Sequence, residues 1–274
     1  MDEAVPDQPP LEGDEDLQKS GGSRIIGRLL PPAVRLWLRS QVEQVDRLSI
    51  ELAGRDRQIL RGNLPGVSVS AHQAIYEGIH ISSVQLSAED IRINIGQVVR
   101  GKPLRLLKSF PVSGEVLLSP ADLNASLNSS MLAVGLTLFW QTLSQAPSVA
   151  QAIEDRHGPL ALQSDMVLAA PTVKLGNGCL GLSFYPCVEG VLAEEPIVLG
   201  TKLTVASKQY LQLNSTVWLS QLDDLNRLAD PSPVGEPIPS LEGFQWNLGQ
   251  DTQLTQLDIR PHQLICAGTI TVQP

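Results

Sequence analysis

Apolar side chains recur with two different periods along this 274-residue chain, and the change of period divides it. Val34, Leu36, Trp37, Leu38, Val42, Val45 and Leu48 fit one broad helical face, with Arg35, Arg39, Glu43 and Arg47 spaced four apart on the other. Pro31 and Pro32 suit a helix start, so the pattern predicts a helix over about 32–46. Period-two alternation then takes over. Leu48, Ile50 and Leu52 lead to a turn at Ala53-Gly54-Arg55-Asp56, with a second strand expected near 57–62. Val67, Val69 and Ala71 alternate next, followed by Ile79 and Ile81, then Val84, Leu86 and Ala88, then Ile91, Ile93 and Ile95. The alternation changes phase near Ser82-Ser83 and near Glu89-Asp90, each marking a bulge or a bend in an antiparallel meander with one apolar face.

The middle of the chain reads as helix. Ser119-Pro120-Ala121-Asp122 has the layout of a capping box, and Leu123 and Leu127 continue one face. Met131 to Trp140 is uncharged but too short to span a bilayer, so it is a core helix or a groove wall, limited by Pro147. Strands resume after His157-Gly158-Pro159. Gly176-Asn177-Gly178-Cys179 is a two-residue hairpin signal. Later strands carry Leu203 and Val205, Leu211 to Leu219, Phe244 to Leu248, Leu257 and Ile259, and Leu264 to Val272. Between them, Ser220 and Asp223 open a short helix with Leu225 and Leu228, and Asp230 to Pro239 reads as a proline-rich loop without core potential. Leu118-Ser119 with Asp122-Leu123-Asn124 is echoed by Leu219-Ser220 with Asp224-Leu225-Asn226, a faint two-fold repeat with halves of about 47–145 and 160–274.

Composition sharpens this α+β reading. Aromatics are only 4% of residues, so the core is built from aliphatic side chains. The net charge of −9 is mostly local: residues 1–20 hold seven acids against one lysine, leaving −3 for the other 254. Residues 1–22 lack the apolar content to offset their ordering entropy and read as a disordered tail, followed by one domain over 23–274. The acidic balance argues against nucleic acid as a partner. Neither a signal-peptide layout nor a membrane-spanning run is visible, which predicts a cytoplasmic or peripheral membrane location, or a periplasmic one from a different start site.

Searches for catalytic chemistry return little. The four histidines show no metal-ligand spacing, and no cofactor motif is present. Gly176, Gly178 and Gly181 match a dinucleotide fingerprint in spelling, but they lie in a hairpin with no following helix. Cys179, Cys187 and Cys266 read as buried free thiols, with a Cys179–Cys187 bridge as the alternative. No residue is assigned a catalytic or metal-binding role.

Two basic segments stand out. Arg24, Arg28, Arg35 and Arg39 surround Trp37 without an acid between 24 and 39, a pattern that suits a membrane surface or packing within the domain. Between Ile91 and Gly114, Arg92, Arg100, Lys102, Arg105 and Lys108 are interleaved with aliphatic residues, again without an acid. Such a segment suits anionic lipid head groups or a solvated hairpin with snorkelling stems.

Tyr76-Glu77-Gly78-Ile79-His80-Ile81, Ile91-Arg92-Ile93-Asn94, Val99-Arg100-Gly101-Lys102-Pro103-Leu104 and Asp122-Leu123-Asn124-Ala125-Ser126-Leu127 resemble the LmeA-like phospholipid-binding family of bacteria. The likeness runs from about Leu36 to Gly268-Thr269-Ile270-Thr271-Val272. It implies an elongated, strongly curved antiparallel sheet wrapped on one long helix, as in tubular lipid-binding proteins. The family's best-known members are exported lipid binders of the mycobacterial envelope. The implied function is non-catalytic phospholipid binding. Head-group candidates are Arg92, Arg100, Lys102 and Arg105. Acyl-groove candidates are Leu86, Ile91, Ile93, Ile95, Leu123, Leu127, Leu132, Leu136 and Phe139, between the 84–95 strands and the 131–140 helix. Membrane-contact candidates are Arg28, Arg35, Trp37 and Arg39. The alternatives are a scaffold docking on a membrane or partner through helix 24–46, and an envelope enzyme acting on lipid or glycan.

Overall fold

In the computed structural model, which describes residues 30–53, 59, 61–228 and 235–274, the first helix stops earlier than its periodicity predicts. Its described part, α1, covers 30–41 and buries Leu30 and Val34, with Trp37 and Leu38 half-buried beside them. Leu36, expected on the buried face, is 72% exposed. The Ser40 hydroxyl donates to the Trp37 carbonyl, and the Glu43 amide donates instead to the Ile75 carbonyl at 2.9 Å. From there pairing with a neighbouring strand wins over helix propagation. Strand β1 (Gln44–Ala53) therefore contains Arg47, and the Oε1 of Glu43 accepts the Gly78 amide at 2.9 Å.

Six antiparallel strands form the first sheet, in the order β1, β2 (Asn63–Tyr76), β3 (Ile79–Arg92), β4 (Phe110–Leu118), β13 (Gln263–Val272) and β12 (Thr252–Arg260). The β2–β3 register is constant throughout, so both expected phase changes are bends without an inserted residue. One falls where Gln73, at φ 50°, faces the Ser82 region, and the other at Asp90, at φ 51°. Left-handed backbone at a non-glycine residue is uncommon and breaks the regular pleat of a strand. Of the strand expected near 57–62, the described Ile59 is helical and Arg61 and Gly62 form a turn, closed by the Gly62 amide on the Ile59 carbonyl; residues 57, 58 and 60 lie outside the described residues. Ile95 is likewise not in a strand. It opens the single-turn helix α2 (Ile95–Val98) after β3 has ended.

The capping box forms as expected. The Ser119 hydroxyl accepts the Asp122 amide at 3.1 Å and the Asp122 carboxylate accepts the Ser119 amide at 2.9 Å, starting helix α3 (Pro120–Ser126). Helix α4 (Ser130–Ser144) follows, and Pro147, which limits it, takes the first turn of a further helix, α5 (Pro147–His157). Val149 and Ile153, four apart and buried, were the available signal for that helix.

The second sheet has the path β10 (Glu236–Pro237), β9 (Tyr210–Trp218), β8 (Ile197–Ser207), β6 (Cys179–Val188) and β5 (Val167–Leu175). The short strands β11 (Gln245–Asn247) and β7 (Val191–Leu192) pair with β9 and β6. The hairpin at Gly176 to Cys179 joins β5 to β6, with only Gly178 at positive φ. Cys179 and Cys187 open and nearly close the same extended strand, eight residues or roughly 26 Å apart, and both are free thiols. The Asp230–Pro239 segment is not devoid of core residues. Its end adds β10 to the sheet edge, and Ile238 is 2% exposed, its amide donating to the Thr216 carbonyl.

Helices α4 and α5 cover the second sheet through the main core, where Trp140, Leu143, Val149 and Ile153 meet Phe184, Ile197 and Trp218. The Trp140 indole donates to the Ala161 carbonyl at 2.8 Å and stands edge-on to Phe184. Ile259 and Leu264 of the terminal hairpin enter this core as well, so β12 and β13 tie the two sheets together. The fold is α+β and consists mainly of two antiparallel sheets, which among the described residues do not close into a barrel.

Candidate functional site

Register decides which side chains of the first sheet share a face, because directly opposed residues point the same way. Leu48, Ala71, Val84, Val116, Cys266 and Leu257 form one such cross-strand row. Ile50, Val69, Leu86, Gly114, Gly268 and Leu254 form the next. Leu52, Val67, Ala88, Val112, Ile270 and Thr252 form the third. Seventeen of these eighteen positions carry an apolar side chain, a cysteine or no side chain. At about 4.8 Å per strand the face runs roughly 24 Å across the sheet. The opposite face presents Arg47, Ser49 and Glu51, then His72, Ser70 and Ser68, then Ser83, Gln85 and Ser87, and is mostly exposed.

Helix α1 closes one end of the apolar face, packing Leu30 and Val34 against Leu52, Val67, Ala88 and Val112. The main core takes up Leu257 and Cys266 at the other end. Between them, Val69, Gly114, Gly268 and Leu254 are half-buried and belong to no buried cluster of the described residues. An added Cβ at Gly114 or Gly268 would lie within 2.5 Å of the neighbouring strand's backbone, so glycine lets the strands close up along this row. Burial raises the Cys266 thiol to about 11.

The basic segment after β3 lies at the α1 end. Arg92, Arg100, Lys102 and Arg105 are all exposed, together with Val99 at 43% and Leu107 at 60%. Asn94, itself buried, holds this loop. Its Oδ1 accepts the Arg105 amide at 2.7 Å, and its Nδ2 donates to the Pro103 carbonyl at 3.0 Å and to Gln97 Oε1 at 3.1 Å. Leu104, Leu106 and Val98 pack inward against the cluster under α1. The result is a rigid base carrying positive and apolar side chains outward.

The expected acyl-groove residues are distributed over several surroundings. Leu86 lies in the middle row of the apolar face. Ile91, Ile93 and Ile95 are buried beneath α1, whereas Leu127 is buried in the main core with Leu123, Leu136 and Phe139 packed on it. Leu132 is half-buried near the start of α4. Helix α3 packs on β3, but α4 packs on α5 and β5, so the structure does not bring the 131–140 face onto the 84–95 strand. Trp37 is half-buried under the sheet, Arg35 and Arg39 are exposed, and Arg28 lies outside the described residues. The acidic tail of residues 1–22 also lies outside them.

An open groove of about 500 Å³ lies where α1 meets the free edge of the sheet, lined by Arg35, Arg39, Arg47, Asp46, His72, Ser49, Ser70, Val45 and Leu48. Sequence alone placed Arg47 on the polar face of the helical pattern and left His72 without a role. Elsewhere, the Asp122 carboxylate accepts hydrogen bonds from the Ser82 and Ser119 hydroxyls and the Ser119 amide. Burial works against the charged carboxylate, yet these bonds outweigh it and hold its pKa below the usual range. Among the described residues, no group of three or more histidines, cysteines or acids is placed to hold a metal, and no helix is long and apolar enough to cross a membrane.

The two antiparallel sheets and the helices packed on them define an α+β protein. The sequence model of the family described as LmeA-like phospholipid-binding matches residues 21–269, nearly the whole chain, and the chain belongs to that family. Neither the curated proteins nor the solved structures contain a match to it.

Proposed function

We propose that this chain is a non-catalytic phospholipid-binding protein whose acyl chain lies along the apolar face of the first sheet. The observation that carries the reading is that face: three cross-strand rows in which every position but Thr252 is apolar, cysteine or glycine, with the middle row only half-buried. Burying a roughly 16-carbon chain is worth on the order of 10 kcal/mol at about 0.8 kcal/mol per methylene. An aliphatic surface about as long as such a chain supplies that contact. Arg92, Arg100, Lys102 and Arg105 meet an anionic membrane surface, with Val99 and Leu107 entering its interface. Native mass spectrometry of gently purified protein tests this: bound phospholipid is expected, and its absence, together with no flotation on liposomes, overturns the reading.

Leu36 favours a second reading. A large aliphatic side chain 72% exposed between Arg35 and Arg39 suits docking of α1 on a membrane or partner. Leu36→Ser that abolishes flotation but leaves bound lipid in place would assign docking to α1 and carriage to the sheet.

A further inference from the structure

The groove at the free edge of the first sheet is built from three arginines that come from two elements. Arg35 and Arg39 stand one helical turn apart on α1, and Arg47 on β1 stands directly opposite His72 on β2. Ser49 and Ser70 form the adjacent cross-strand pair on the same polar face and add two hydroxyls. Among the described residues, Asp46 is the only acid lining the groove and none of the three guanidiniums is in an ion pair. Like charges gathered this way repel each other, and an anion seated among them relieves that repulsion. Planar guanidiniums match the paired oxygens of a phosphate better than a point charge does.

Position selects the kind of anion. Val45 and Leu48 line the same groove, and their partners Ala74 and Ala71 lie on the apolar side of the sheet. The groove therefore straddles an edge strand where the polar and apolar faces meet, the boundary an amphiphile crosses between head and tail. A neighbouring groove of about 650 Å³ shares Ser49 and Ser70 but is lined by Glu51 and Glu115, which repel anions and confine them to the arginine end. A volume of about 500 Å³ falls in the range of small-ligand sites, about 300–1,000 Å³.

We infer that Arg35, Arg39 and Arg47, with His72, Ser49 and Ser70, form a binding site for the phosphate of an anionic phospholipid head group. This rests on the phospholipid-binding reading and assigns its head-group contact to the edge of β1. The basic loop at 92–108 then serves the membrane surface, and the edge groove serves the single bound lipid.

Calorimetric titration of the full chain with dihexanoyl-phosphatidylglycerol, kept below its micelle concentration, tests the site without a bilayer. Arg39→Gln with Arg47→Gln is expected to weaken binding tenfold or more, and Arg39→Lys with Arg47→Lys to recover part of it. Dihexanoyl-phosphatidylcholine, whose cation faces the arginines, is expected to bind more weakly than the glycerol lipid. Equal affinity of wild type and the glutamine variant, both folded by circular dichroism, overturns the site while leaving lipid carriage intact. Inorganic phosphate binding as tightly as the lipid overturns the head-group assignment in favour of a free-phosphate site. No binding of the soluble lipid by wild type overturns the site, and when native mass spectrometry also finds no phospholipid, the parent reading falls with it.

Discussion

The backbone amide of Arg105 donates to the Oδ1 of Asn94 at 2.7 Å, so the position of a surface cation is set by a buried amide eleven residues earlier. The Nδ2 of Asn94 donates to the Pro103 carbonyl and to Gln97, closing the loop that carries Arg100 and Lys102. Asn94→Ala removes these three bonds and strands the Pro103 carbonyl and the Arg105 amide. Urea denaturation is expected to show a loss of about 1–3 kcal/mol, since three bonds worth about 0.5–1.5 kcal/mol each are lost while the freed groups turn in part to water. Asn94→Asp keeps the acceptor and should lose less.

The charges on that loop are read by vesicle flotation. Each basic side chain near an anionic surface is worth about 1 kcal/mol, so Arg100→Gln, Lys102→Gln and Arg105→Gln together should weaken binding by about 3 kcal/mol, roughly a hundredfold. Added salt should diminish wild-type binding in the same direction, and zwitterionic vesicles should not distinguish the two proteins.

Asp122 couples stability to acid pH. Desolvation would raise its pKa, but the bonds from Ser82 and Ser119 more than offset it and lower the pKa below the ordinary 3.8. A depressed carboxyl contributes stability that is complete above the unfolded value and is lost as pH falls through the folded one. Asp122→Asn should cost about 1 kcal/mol at pH 7, and that difference should shrink below about pH 4. Chemical denaturation at pH 7, 5 and 3 checks the trend.

His157 has the opposite chemistry. Burial, reinforced by the neighbouring Arg156 charge, lowers its pKa from 6.5 to about 4, and its ring stands edge-on to Trp218 at 4.9 Å between centroids. The native state holds it neutral, so the unfolded chain takes up a proton first as pH falls below 6.5. Stability should decline between pH 6.5 and about 4 and then level off as far as this group is concerned. His157→Phe preserves an aromatic edge contact and should flatten that decline in urea melts at pH 7, 6 and 5.

Features made by neighbours in sequence were legible without tertiary structure. The Ser119–Asp122 capping box spans three residues, the turn before Cys179 needs only Asn and Gly, and the alternation from Leu48 to Leu52 and from Val84 to Ala88 marks strands with an apolar side. The bends at Ser82 and Asp90 were visible as phase changes, although the left-handed residue behind the first, Gln73, belongs to the adjacent strand. The basic character of 92–108 was equally plain, because charge does not depend on fold.

What decided the candidate site was pairing between distant segments. The α1 pattern continues past residue 41, yet the Glu43 amide finds the Ile75 carbonyl, and that sends Arg47 to face His72 on a sheet. The apolar face exists only because β13 returns to β4, placing Gly268 opposite Gly114 across more than 150 residues of chain. The same return gives Ile259 and Leu264 to the other sheet's core. Periodicity states which side of a strand is apolar; it does not state which strands lie side by side. That choice is made by hydrogen bonding and burial summed over the whole molecule. The sequence by itself therefore determined an aliphatic, antiparallel protein with a basic loop, and the tertiary structure alone decided which aliphatic residues form a surface and which arginines meet at its edge.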